Sequence, residues 1–206
     1  LRQRFMKEIF LTTFFSILTG SLLAGDCCSA TKTAAGDATH FTDKSLYQIE
    51  SHWTTDETKQ IKLGALGNRP QVVVMFFASC QYACPLLVND LMRIESALPA
   101  EIRARAGFTL VSFDSKRDMP AALAQFRAVR NLSSRWTLLH GEPDDVLELA
   151  ALLGVKFKQE ATGQFAHSNV ITILNAGGEI VYQLNGLNQD IQPAVEILEQ
   201  LAAKQP

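Results

Sequence analysis

Two cysteines, Cys80 and Cys84, stand four positions apart in FFASCQYACP, after an apolar run and just before Pro85. Thiols at this spacing can form a dithiol–disulfide couple, act as soft ligands for a metal, or simply pack in a core. With three residues between them, the sulfurs can approach closely if the intervening loop folds back. A third reactive group, His167 in FAHSNVITIL, lies far downstream just ahead of another apolar run. Imidazole adds nitrogen ligation or proton transfer to what thiols can do.

The elements around these residues say where the groups would sit. Residues 71–77, QVVVMFF, form a continuous β-branched and aromatic run, the pattern of a strand buried on both faces. Pro85 suits the first turn of a helix, and Leu87, Leu91, Ile94 and Leu98 then recur at helical spacing. The cysteines are therefore expected on a strand-to-helix connection. There a thiol meets unpaired amides and the positive end of the helix dipole, both of which favour thiolate over thiol and make it a better ligand and a readier redox group.

Downstream, FTLVSF (108–113) predicts a second buried strand, 119–129 a helix, 136–139 a short strand and 144–153 a helix opened by Pro143. This alternation implies parallel β-α units. VITILN (170–175) and EIVYQL (179–184), joined by Ala176-Gly177-Gly178, read as a hairpin, and 190–204 as a closing amphipathic helix. Upstream, SLYQIESHWTTDETKQIKL alternates around a polar turn at 55–58, consistent with an N-terminal β-hairpin. The order is that of an α/β thioredoxin-like fold with an N-terminal β-hairpin extension and an inserted β-α unit, spanning residues 40–206. That fold holds its reactive cysteines at its first strand-to-helix junction.

Before this domain, Arg2, Arg4 and Lys7 precede the apolar run IFLTTFFSILTGSLL, so residues 1–25 read as a signal peptide or membrane anchor. Residues 26–39, DCCSATKTAAGDAT, read as a flexible tether in which Cys27 and Cys28 have no assigned role. Export would expose the thiols to an oxidising compartment, yet four cysteines are too few for a disulfide framework. The formal charge of -2 gives no electrostatic reason to expect a nucleic-acid partner. With 47% hydrophobic and 19% charged residues, the chain can bury one well-packed core.

In a thioredoxin-like fold the loop before the late hairpin faces the cysteine turn, and general disulfide oxidoreductases carry a cis-proline there. Residues 164–170 contain no proline and offer His167 instead. Two thiolates and one imidazole make a ligand set for copper. His40, His52 and His140 lack such company and read as surface or packing residues. Met75, Met92 and Met119 are scattered through different contexts and read as packing, as do Trp53 and Trp136. Asp118, ahead of Met119-Pro120, reads as a helix cap, whereas Asp114 is placed to support the site from behind.

Taken together, SCQYACP, VSFDSKRDMP, RWTLLHG, LLGVKFK and FAHSNVITILNAGGEIV resemble, in this order, the Sco/SenC family of copper proteins. Cys80, Cys84-Pro85 and His167 match that family's C-x-x-x-C-P turn and late histidine, and Asp114 to Pro120 its D-x-x-x-D-x-P segment, with Met119 where threonine is usual. The resemblance implies an exported, periplasmic or inner-membrane-anchored copper metallochaperone that binds one copper, as Cu(I) or Cu(II), through Cys80, Cys84 and His167. It implies as partner the copper-receiving subunit of cytochrome c oxidase, whose binuclear centre such proteins help to assemble. Because a Cys80–Cys84 disulfide would consume the thiolates that metal binding needs, a thiol reductase that keeps Cys80 and Cys84 reduced is expected as a second partner. The alternative is a dedicated thiol-disulfide oxidoreductase acting through Cys80 and Cys84 on the recipient's cysteines. A peroxidase fits less well, because the threonine-rich approach to a single cysteine is absent.

Overall fold

The computed structural model describes residues 41–204. The expected leader and tether, with Cys27, Cys28 and His40, lie outside the described residues. Among those described, no helix is long and apolar enough to cross a membrane.

In chain order the elements are β1 (Trp53–Thr55), β2 (Gln60–Ile61), β3 (Gln71–Phe76), α1 (Ala83–Ala97), α2 (Ala100–Arg105), β4 (Gly107–Ser112), α3 (Pro120–Arg130), β5 (Trp136–Gly141), α4 (Pro143–Leu153), β6 (Phe157–Gln159), β7 (Phe165–His167), β8 (Val170–Leu174), β9 (Ile180–Asn185) and α5 (Gln192–Ala203). Seven strands form one sheet in the order β2-β1-β5-β4-β3-β8-β9. The central strands β3, β4 and β5 run parallel, while β8, β9 and the β1–β2 hairpin are antiparallel to their neighbours. This is the expected thioredoxin-like order. Every residue of β3, β4 and β8 is buried, which accounts for their largely apolar composition without hydrophobic–polar alternation.

The helices are set by punctuation and by one apolar face each. Pro120 opens α3 and Pro143 opens α4, where a missing amide hydrogen costs nothing. Asn131 and Gly154 close these two helices in the left-handed conformation. Leu87, Leu91 and Ile94 of α1 are wholly buried, the expected stripe.

Three local expectations change. The predicted N-terminal hairpin is confined to β1 and β2, because the SLYQIE half of that segment forms a 3-10 turn at Leu46–Gln48 capped by the Ser45 hydroxyl. A short helix, α2, follows α1; it buries no residue and so carries no periodic signal. The segment expected as a loop before β8 contains a separate antiparallel ribbon, with Phe157 opposite His167 and Gln159 opposite Phe165. Two aromatic rings, rather than an alternating pattern, hold this ribbon in place.

Candidate metal centre

Cys80 lies on the connection after β3 and is partly exposed, whereas Cys84 is the second residue of α1 and is 1% exposed. Both are reduced thiols. The backbone amide of Cys84 donates to Cys80 Sγ at 3.3 Å, so one of the unpaired amides of the helix start is directed at the outer sulfur. For Cys84 the expected activation does not hold. Burial pushes its thiol well above the ordinary cysteine range, and the neighbouring Cys80 and Asp118 push the same way, outweighing the Phe77 backbone hydrogen bond that lowers it. A helix N-terminus favours a thiolate only while the sulfur keeps some solvation; at Cys84 desolvation wins.

His167 ends β7 and is half-buried beneath aromatic rings, with centroids 5.2 Å from Phe113 and 6.1 Å from Phe77. Its Nδ1 lies 3.0 Å from the Ser168 carbonyl oxygen. A carbonyl can only accept, so Nδ1 carries a hydrogen, which leaves Nε2 as the ring nitrogen available for ligation. Nε2 is 3.5 Å from Cys84 Sγ. The donor atoms of Cys80, Cys84 and His167 all lie within 4.8 Å of one another. Two soft sulfurs and one imidazole nitrogen at this separation suit Cu(I) or another thiophilic ion, and the hydrogen-bonded Nδ1 fixes the ring as a ligand needs. The same two thiols can form a disulfide instead, since both uses draw on the same sulfur electrons.

Asp118 has a role other than the cap its sequence suggested. Met119, not Asp118, is the N-cap of α3, and no side chain bonds there. Asp118 is 2% exposed and turns inward, its Oδ2 accepting from the Ala78 amide at 2.7 Å and the Ser112 hydroxyl at 2.6 Å. It ties the start of the cysteine loop to β4. Burial raises its carboxyl above the usual range, and the two hydrogen bonds oppose that rise. Asp114, also 2% exposed, pairs with Arg117. Arg117 then reaches the ribbon, donating to the Gly163 carbonyl at 2.6 Å and placing its guanidinium 5.8 Å from the Phe165 centroid and 6.0 Å from that of Phe77. Arg117 escaped the sequence reading because its partner carbonyl is 46 residues away.

The remaining candidates separate cleanly. Trp53, Trp136 and Met75 are buried core residues. Met119 was expected to pack but is 50% exposed, because the N-cap position turns its side chain outward. His140 is buried away from the thiols and His52 is exposed.

Comparison with known proteins places the chain. The sequence model of the SCO1/SenC family matches residues 42–203, nearly all of the described domain. The chain belongs to the SCO1/SenC family. A candidate copper-binding protein of Stutzerimonas stutzeri is 24% identical over 119 residues, 56% of this chain, and the match spans only 57% of that relative's length. Among solved structures, yeast Sco1 with copper bound superposes with a TM-score of 0.63 at 19% identity, covering 75% of this chain and 87% of that one. BsSco, a member of the Sco family of cytochrome c oxidase assembly proteins in which a disulfide switch was identified, gives 0.65 at 19% identity over 77% and 95%. At these identities the superpositions speak for the fold.

Proposed function

We propose that this domain is a copper metallochaperone that holds one copper ion through Cys80 Sγ, Cys84 Sγ and His167 Nε2 and delivers it to the copper-receiving subunit of cytochrome c oxidase. The observation that carries this reading is the convergence of two thiols and one imidazole, 83 residues apart in the chain between Cys84 and His167, within 4.8 Å beyond the C-terminal end of the central strand β3. It is supported by family membership and by the copper bound to yeast Sco1. The assignment to oxidase assembly draws on the family description attached to BsSco. The leader-like residues 1–25 favour work in the periplasm or at the outer face of the inner membrane. A partner reductase is part of the scheme, because the clamp takes metal only as a dithiol.

The ion is cargo, so the residues must bind and release it. Loading removes the proton that burial holds on Cys84, and uptake therefore weakens as pH falls. Release starts most easily at Cys80, the exposed sulfur, which an incoming ligand can reach first.

A second reading has its own support in the unequal burial of the thiols. Cys80 is placed to attack a partner disulfide, forming a mixed disulfide and expelling one partner thiolate. Cys84, losing its proton, then attacks Cys80 and expels the second; the partner gains two electrons as the Cys80–Cys84 disulfide forms. His167 separates the two readings. For a chaperone, His167→Ala lowers Cu(II) retention by ~10-fold or more; for a dithiol reductase it leaves insulin-type disulfide reduction near wild type and reveals no copper defect. Metal uptake that survives Cys80→Ser with Cys84→Ser would overturn the chaperone reading.

A further inference from the structure

His167 is carried by a ribbon whose strand ladder pairs only β6 with β7; the main sheet's backbone bonding reaches it no nearer than Asn169, whose carbonyl accepts from the Gly186 amide. The Phe157 and Phe165 rings pack the ribbon's body onto Phe113. One polar side chain adds two further contacts across the gap. Arg117 is anchored from below by its ion pair with buried Asp114. Its guanidinium donates to the carbonyl of Gly163 in the ribbon turn and lies over Phe165, whose neighbour but one is His167. The same cation lies beside Phe77, the residue that leads from β3 into the cysteine loop.

Asp118 completes the bracket on the other side by holding the Ala78 amide. One five-residue segment thus grips both the cysteine loop and the histidine ribbon. We propose that Arg117 is the positioning residue for His167: it latches the β6–β7 ribbon against the sheet at the height where Nε2 completes the two-sulfur donor set. This rests on the reading of His167 as a ligand. Planarity matters, because a guanidinium can pair with a carboxylate, donate to a carbonyl and stack on rings at once, whereas a lysine ammonium cannot. Without the latch the clamp is left with two sulfurs, which serve Cu(I) well and Cu(II) poorly.

The test compares wild type, Arg117→Ala, Arg117→Lys, His167→Ala and the Arg117→Ala/His167→Ala double variant. In metal-free protein, amide exchange at Glu160, Gly163 and Ser168 should rise ~10-fold in Arg117→Ala, while amides in β3 and β8 keep their protection. In protein loaded with Cu(II), transfer to a chelator should quicken by a similar ~10-fold, Cu(I) uptake should change little, and Arg117→Lys should fall between. The effect on Cu(II) release should disappear when His167 is already alanine, since a latch acts only through what it holds. Unchanged ribbon exchange in a folded Arg117→Ala protein, or an equal effect in both backgrounds, would overturn the proposal. If Arg117→Ala loses protection throughout the sheet, Arg117→Lys carries the same comparison. Wild-type Cu(II) release from His167→Ala would instead remove His167 as a ligand, and the exchange measurement would still decide whether Arg117 latches the ribbon.

Discussion

Cys80 and Cys84 share a motif but not an environment, and their reactivities should differ accordingly. Alkylation of the reduced protein at neutral pH is expected to label the partly exposed Cys80 and to spare Cys84, which is buried and held as a thiol; peptide mass spectrometry reads this directly. Equal labelling of both would contradict the burial that separates them. Asp118 yields a second prediction at this scale. Its folded-state carboxyl holds its proton more tightly than in the unfolded chain, so the associated stability is complete below the usual carboxylate range and is lost as pH rises through the raised value. Asp118→Asn keeps an oxygen able to accept from Ala78 and Ser112 but cannot ionise. Urea unfolding across pH should show that decline flattened in the variant relative to wild type; an unchanged slope would mean Asp118 does not titrate there. The grouping of Cys80, Cys84 and His167 could be read from the sequence because sulfur and imidazole advertise their chemistry by type. Asp118 could not, since a carboxylate before a proline looks like a cap whichever way its side chain turns.

Among the elements, β3, β4 and β8 were legible as largely apolar runs without alternation because they are buried on both faces, and α1 because its stripe repeats every third or fourth residue. The ribbon was not. Phe157 and Phe165 reach inward to Phe113 from three-residue strands, too short for any period to register. The β1–β2 hairpin was legible as a turn, but its docking was not, because that depends on Trp53 lying against Gly141 across the β1–β5 pairing. A methyl built at Gly141 would lie 2.5 Å from the Trp53 ring, which is enclosed and cannot move aside. Gly141→Ala should therefore destabilise the fold by about 1–3 kcal/mol in chemical denaturation. A neutral effect would show that the hairpin can lift off the sheet without cost.

For the whole molecule, the core runs from Leu46 to Leu198, so a protein beginning at His40 should express in soluble form and unfold in one cooperative transition. Aggregation of such a protein would move the domain boundary upstream. Oxidising the two thiols to a disulfide should abolish Cu(I) uptake, and reduction should restore it, because the bond uses the electron pairs that ligation needs. Equal uptake in both states would exclude the thiol pair as the clamp. The self-contained ladder of the ribbon has a further consequence, in kinetics. A strand of the main sheet can let go only when the sheet opens, but β6 and β7 can swing out while every other strand stays paired. On the proposed chaperone reading, the residence time of the copper is then governed by a local opening and not by the unfolding rate of the domain. Stabilising the core would then raise the melting temperature and leave the rate of metal release where it was.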